Sequence, residues 1–250
     1  IYNLRSIAPT EPGSSSHRMA GGPSGQAPPL VLLEREEAVA IITLNNPQRL
    51  NAWSAAMIEA MGAALEQAAG DPNVKAAVLT GSGRYYSSGG DFLDMGAPDS
   101  FSPAGVLKLV ADFNEQLFAR FLDFPKPLLC AINGPAVGGA VTSAGLCDLI
   151  IAAPTATFHT PFLALGLTPE GCSSLVFPRK LGEANARIFL EEGRKVDAAT
   201  ALEMGLVNQL VPADRLLQRA KEIAASWATE GRQRCIIRDG QLEELRATNK

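Results

Sequence analysis

The segment at residues 157–172, TFHTPFLALGLTPEGC, carries one carboxylate, Glu170, at the end of a run of apolar and uncharged residues. A charge in apolar surroundings is costly unless it is paired or put to use. Pro169 and Gly171 flank it, and Pro-Glu-Gly is also ordinary turn chemistry. Glu170 is therefore either a surface turn residue or a proton-transfer group whose basicity its surroundings raise.

Two glycine-rich stretches bear on that choice. Residues 81–90, GSGRYYSSGG, and 134–139, GPAVGG, each follow an apolar run that reads as a buried strand. A backbone N–H approaches a ligand oxygen closely only where no side chain blocks it. Ser88-Gly89 and Gly138-Gly139 each offer such an amide, the second at a helix N-terminus where the dipole favours negative charge. Each pair alone reads equally as a tight turn, whereas two amides converging on one oxygen form an oxyanion hole.

Familiar motifs fail on the residues. GSGRYYSSGGD has Tyr86 where a dinucleotide fingerprint needs its third glycine, and no Lys-Ser or Lys-Thr follows GPAVGGAV. VTSAG around Ser143 begins with Val, not the Gly of a nucleophile elbow, and His159 reads as a packed polar side chain. With only His17, His159 and four dispersed cysteines, metal ligands are poorly supplied, so neither metal nor cofactor is expected. The net charge of −4 gives no support to nucleic-acid binding, and no apolar run reaches the ~18–20 residues of a membrane span.

These groups need a frame. LVLLERE and AVAIITLNNP read as two strands joined by a charged turn, and Asn51 or Ser54 can cap the helix that follows to about Ala69. A buried strand over 74–80, an amphipathic helix over 103–122, and the strands PLLCAI and DLIIAAP come next. After Phe177 the spacing predicts helices near 183–192, 197–204 and 213–229. Continuous apolar strands separated by helices imply an α/β sheet covered on both faces, with sites where loops leave strand ends. Residues 1–29, rich in Gly, Ser and Pro, read as a flexible leader: a tag remnant, a transit segment or a linker.

NNPQRLNA, YYSSGGD, FPKPLLCAINGPAVGGA, ATFHTPFLALGLTPEGCSS and ALEMGLVNQLVP together resemble the crotonase (enoyl-CoA hydratase/isomerase) superfamily over residues 30–230. Within it they are most similar to the peroxisomal type of Δ3,Δ2-enoyl-CoA isomerase. The resemblance implies a ClpP/crotonase-like α/β fold: a core of repeated ββα units over 30–195, then a C-terminal helical region over 196–250 with more helices expected beyond. It implies trimers or dimers of trimers acting on acyl-CoA thioesters, with coenzyme A part of the substrate, in the mitochondrion or the peroxisome. The terminal Thr-Asn-Lys is not the Ser-Lys-Leu of a peroxisomal signal.

The resemblance also assigns roles by position. The N–H groups of Ser88 and Gly139 would hold the thioester oxygen, and Glu170 would be the single acid–base group. The segment Tyr86, Ser87, Ser88, Gly89, Gly90 and Asp91 would line the acyl and pantetheine path, with Asp91 organising the loop through backbone hydrogen bonds. Arg49, Leu50, Asn51 and Ala52 fall where the family holds CoA, with Arg84 and Lys126 as weaker phosphate neighbours. Phe162, Leu163 and Leu167 would form an apolar pocket around the acid. Hydratases of the family use two glutamates, and Thr142 and Phe162 occupy those positions here. Water addition is thereby disfavoured, leaving a 3-enoyl-CoA to 2-trans-enoyl-CoA proton shift in fatty-acid β-oxidation. A hydratase-like enzyme and a non-catalytic acyl-CoA-binding domain are the alternatives.

Overall fold

The computed structural model describes residues 28–91, 117–234 and 247–248. The leader at 1–27 and most of the helix expected over 103–122 lie outside them; helical residues 117–123 (α2) are its described end. Two strands, β1 (Val31–Glu36) and β2 (Val39–Leu44), pair as an antiparallel hairpin. The other strands of this sheet, β3 (Ala76–Gly81), β4 (Leu128–Ile132), β6 (Leu149–Ala152) and β9 (Gln209–Leu210), run parallel to β2 in the order β1-β2-β3-β4-β6-β9. A second sheet holds β5 (Ala136–Val137), β7 (Thr157–His159) and β8 (Val196–Asp197).

Strand alternation explains why the parallel strands are apolar throughout. Ala40, Ile42, Ala77, Leu79, Leu128 and Cys130 face the main core, while Ile41, Val78, Leu129 and Ile151 face the other side. That other side is covered by Leu216, Ala220, Ala224 and Trp227 of α8 (Leu216–Glu230). The main-core side is covered first by α1 (Ala55–Gly70), whose Met57, Met61 and Leu65 are buried at helical spacing. Of the two expected caps, Ser54 is the one used: its hydroxyl accepts from Met57 N at 3.2 Å.

The expected repetition of ββα units is present. β4-β5-α3 (Gly139–Gly145) and β6-β7-α4 (Phe162–Leu165) each give one strand to each sheet before turning into a helix. The small sheet is lengthened by two isolated bridges, Ser87 to Ala136 and Trp53 to Gly90. One ladder thus passes through both glycine-rich loops. The second half adds α5 (Ser173–Leu181), α6 (Glu183–Leu190) and α7 (Ala198–Glu203).

Among the described residues of the 196–250 region, β8 pairs with β7, β9 pairs with β6, and α8 covers the large sheet. Arg234 shows how late residues hold early ones. Its guanidinium donates to the carbonyls of Phe121, Phe124 and Leu146 and lies 3.4 Å from the Asp148 carboxylate, which is fully buried. Removing one partner of a buried ion pair typically costs about 3–5 kcal/mol. Arg234→Met should lower the urea-unfolding free energy by about 3 kcal/mol; a loss within the error of the extrapolation would contradict this account.

Candidate active site

The first loop of the site is held by a backbone conformation that its sequence disfavours. Leu50 and Asn51 are both left-handed, at φ 54° and 53°. Such conformations cost non-glycine residues and persist only where the surroundings impose them. Here the Asn51 amide group does so: Nδ2 reaches the carbonyls of Ser82, Tyr85 and Tyr86 at 2.9, 2.9 and 3.2 Å, and Oδ1 accepts from Asn46 N at 2.8 Å. The turn's peptide carbonyls then receive the second loop. Ser87 Oγ donates to Asn51 O at 2.8 Å, and Ser88 N donates to Leu50 O at 3.0 Å.

That last bond corrects the expected oxyanion donor, because the Ser88 amide is already committed. Following each amide of this loop to its acceptor finds the one that is left. Ser87 N goes to Pro135 O, Gly89 N to Ser87 Oγ, and Asp91 N to Trp53 O. Gly90 N has no acceptor among the described residues. Trp53 N donates to Gly89 O at 2.8 Å and Asp91 N donates to Trp53 O at 3.1 Å; these two bonds straddle Gly90 and turn its N–H to the opposite side of the strand.

In the second loop the amides without an acceptor among the described residues are those of Gly139 and Ala140, the first two of α3. Val137 N donates to Ser87 O, Gly138 N to His159 O, and Val141 and Thr142 N both to Gly138 O. The Gly139 N–H, first in α3, has no acceptor among the described residues, as helix geometry dictates. The two loops are in direct contact, since a Cβ on Gly89 would fall 2.5 Å from Val137 O. Glycine at 89 is thus required by packing as well as by its φ of 80°.

Glu170 stands at this junction. A Cβ added to Gly139 would lie 3.1 Å from Glu170 Oε1. The acid's backbone is fixed from below by α5, whose Ser173 N and Oγ both donate to Glu170 O, at 3.2 and 2.6 Å. Gly171 and Cys172, both left-handed, turn the chain between acid and helix. A Cβ on Gly171 would meet Phe118 at 2.6 Å and Thr142 Oγ1 at 2.8 Å, so the turn is seated on those two side chains. The carboxylate itself has no hydrogen-bond or ion-pair partner among the described residues, and burial alone pushes its pKa up to about 7.

Other candidates fall into place around this centre. Tyr86, Ser87 and Asn51 are fully buried and support the loop from behind, so their side chains do not line a path. Arg49 donates to the Asp91 carboxylate at 2.7 Å, so among the described residues Asp91 is held by a side chain and by none of the backbone bonds expected of it. Half-buried Ala52 donates its N–H to Arg49 O, tightening the same turn. Lys126 donates to Ala68 O and Asp71 O at the end of α1, which is a structural task, and Arg84 stacks on Tyr85. Phe162 is buried and Leu167 packs on the core, but Leu163 is 71% exposed and leaves the apolar wall. Among the described residues no group of three His, Cys, Asp or Glu could hold a metal, and no helix is long and apolar enough to cross a membrane.

Residues 34–238 match the family model for enoyl-CoA hydratase/isomerase. The chain belongs to this family. Within the enoyl-CoA hydratase/isomerase family it is 36% identical over 247 residues to enoyl-CoA delta isomerase 2 of Rattus norvegicus, covering 94% of this chain and 62% of that protein. It is 39% identical over 186 residues to enoyl-CoA delta isomerase 3, peroxisomal, of Mus musculus, covering 73% of this chain and 57% of that one. The chain therefore spans about three-fifths of these relatives. Among solved structures, an enoyl-CoA hydratase from Bacillus anthracis superposes with TM-score 0.74 at 27% identity, covering 80% of this chain and 77% of that one. The fold is the crotonase fold.

A raised carboxyl pKa has a signed consequence for stability. Below the ordinary value of 4.5 both folded and unfolded chains hold the proton; between 4.5 and about 7 only the folded chain does. Stability from this group is thus lost as pH climbs through that window and stays lost above it. The Tm of Glu170→Gln relative to the parent should rise from pH 4.5 to pH 8, read by calorimetry; a difference independent of pH would overturn the assignment.

Proposed function

We propose that this protein shifts the double bond of a 3-enoyl-CoA to the 2-trans position, with Glu170 moving the proton and the Gly90 and Gly139 amides holding the thioester oxygen. The observation that carries the reading is a half-buried carboxylate with pKa about 7 and no partner among the described residues, set against a glycine whose own N–H has no acceptor among them. Taking a proton from C2 makes a dienolate whose charge falls largely on the thioester oxygen, and returning one at C4 completes the shift. One carboxylate within reach of both carbons suffices, and no water is consumed. A base with pKa near the working pH combines a useful ionised fraction with real basicity. Each amide aimed at the developing oxyanion is worth about 3–4 kcal/mol, because it is fixed before the charge appears.

Water addition fits the site less well. The positions where the family's hydratases carry glutamates hold Thr142, whose hydroxyl donates back to Gly139 O at 3.2 Å, and the buried phenyl ring of Phe162. Neither can act as a carboxylate base. The proposed setting is fatty-acid β-oxidation in the peroxisome or mitochondrion, in an assembly of three or six copies.

In a coupled assay with a 3-enoyl-CoA, Glu170→Gln should lower turnover by about 10²–10⁴-fold while CoA-ester binding stays near that of the parent. Parental turnover in this variant would remove Glu170 from the mechanism. For the parent, kcat/KM should rise with pH to a plateau with a midpoint near 7, the direction expected of a base that must lose its proton. A limb centred near 4.5 would mean that the site stays wet in solution.

A further inference from the structure

We infer that Trp53 is the positioning residue of the site: its indole fills the space beside Gly139 and Glu170, fixing the carboxylate's place and keeping water from it. The inference rests on the assignment of Glu170 as the acid–base group. Its geometry is specific. The point where a Cβ on Gly139 would sit is 2.6 Å from Trp53 Cζ3, 3.2 Å from Cε3 and 3.1 Å from Glu170 Oε1, so the ring's benzo edge and the carboxylate flank one position. The same residue's N and O carry the two bonds that straddle Gly90. Trp53 therefore meets the loops of both these amides and lies beside the acid's surroundings.

The ring is held there by shape. It is 0% exposed, yet Nε1 has no hydrogen-bond partner among the described residues. A buried indole normally finds one, and leaving the N–H unpaired carries a cost that a phenyl ring would avoid. What the larger ring adds is volume at the Gly139 position. Because burial is the sole cause of the raised Glu170 pKa, whatever fills that volume sets the acid's basicity. The titratable groups nearby do not compete. Cys172, two residues on, is itself pushed up to about 11 by burial, Arg49 and Asp91 neutralise one another, and His159 meets the loop through its carbonyl. Thr142 and Phe118, packed under Gly171, do not titrate.

Two measurements test this. In Trp53→Leu, kcat should fall about 10- to 100-fold with little change in KM, and the midpoint of the pH profile should move from about 7 towards 4.5; Trp53→Phe should restore part of both. A merely structural residue would lower the active fraction and leave the midpoint in place, and that result would overturn the inference. Should Trp53→Leu fail to fold, Trp227→Phe leaves Trp53 as the only tryptophan, since the chain has 2. Its emission, followed from pH 5 to 9, should titrate near 7 through contact with the carboxyl group and lose that step in Trp227→Phe/Glu170→Gln. A flat emission profile in the folded single-tryptophan protein would refute the contact. The fluorescence arm needs no turnover, so a protein that titrates but isomerises nothing would count against the proposed reaction and in favour of the Trp53 contact.

Discussion

Buried main-chain N–H groups must find acceptors, and the site is what remains once they have. The Leu50-Asn51 turn presents its carbonyls to one loop, the Ser87 carbonyl receives the next, and His159 receives the one after. Each bond consumes an amide that would otherwise face the cleft. Gly90 escapes because its neighbours bond to Trp53 on the opposite side, and Gly139 because it opens a helix. Unpaired amides are costly when dry, which makes them strong when an oxyanion arrives. Strain in the Leu50-Asn51 turn belongs to the same scheme, since relaxing it would withdraw the carbonyl that occupies Ser88.

The acid obeys an opposing rule. A carboxylate gains stability from partners, and Glu170 has none among the described residues, so the fold keeps it at a cost that appears as a raised pKa. A nearby arginine would make the chain more stable and the base weaker. Arg49, in the Leu50-Asn51 turn, is taken up by Asp91, whose side chain is only 8% exposed.

Much of this was legible in the residues themselves. An isolated glutamate after an uncharged run, between Pro and Gly, is a local statement, and so are glycine pairs following buried strands. The strands and most helices follow from periodicity, because burial on two faces requires it. What could not be read locally is which amide of five successive residues stays unpaired. That depends on a carbonyl 38 positions away in the chain, at Leu50 against Ser88, in a turn whose left-handed Leu no propensity would suggest. The Arg49–Asp91 pair is long-range in the same way, at a separation of 42. Trp53 is harder still, because a tryptophan beside a helix cap reads as core, and it is core. Its bearing on chemistry comes only from what lies across Gly139.

The same frame explains how one fold separates two reactions with so little change. Thr142 lies on α3, three residues after the Gly139 amide, with its hydroxyl packed at the Gly171 turn next to Glu170, and Phe162 opens α4. With carboxylates at these two positions, a water could be oriented and activated. Here those positions hold a back-bonded hydroxyl and a buried phenyl ring, neither of them a carboxylate. The oxyanion site is untouched by the exchange, since it is made of backbone. In the proposed reaction, choice would reside in side chains projecting from short helices, and stabilisation of the enolate in the ladder connecting Trp53, Gly90, β5 and β7. On that proposal, binding the thioester and choosing its fate are physically separable, because they depend on different parts of the chain.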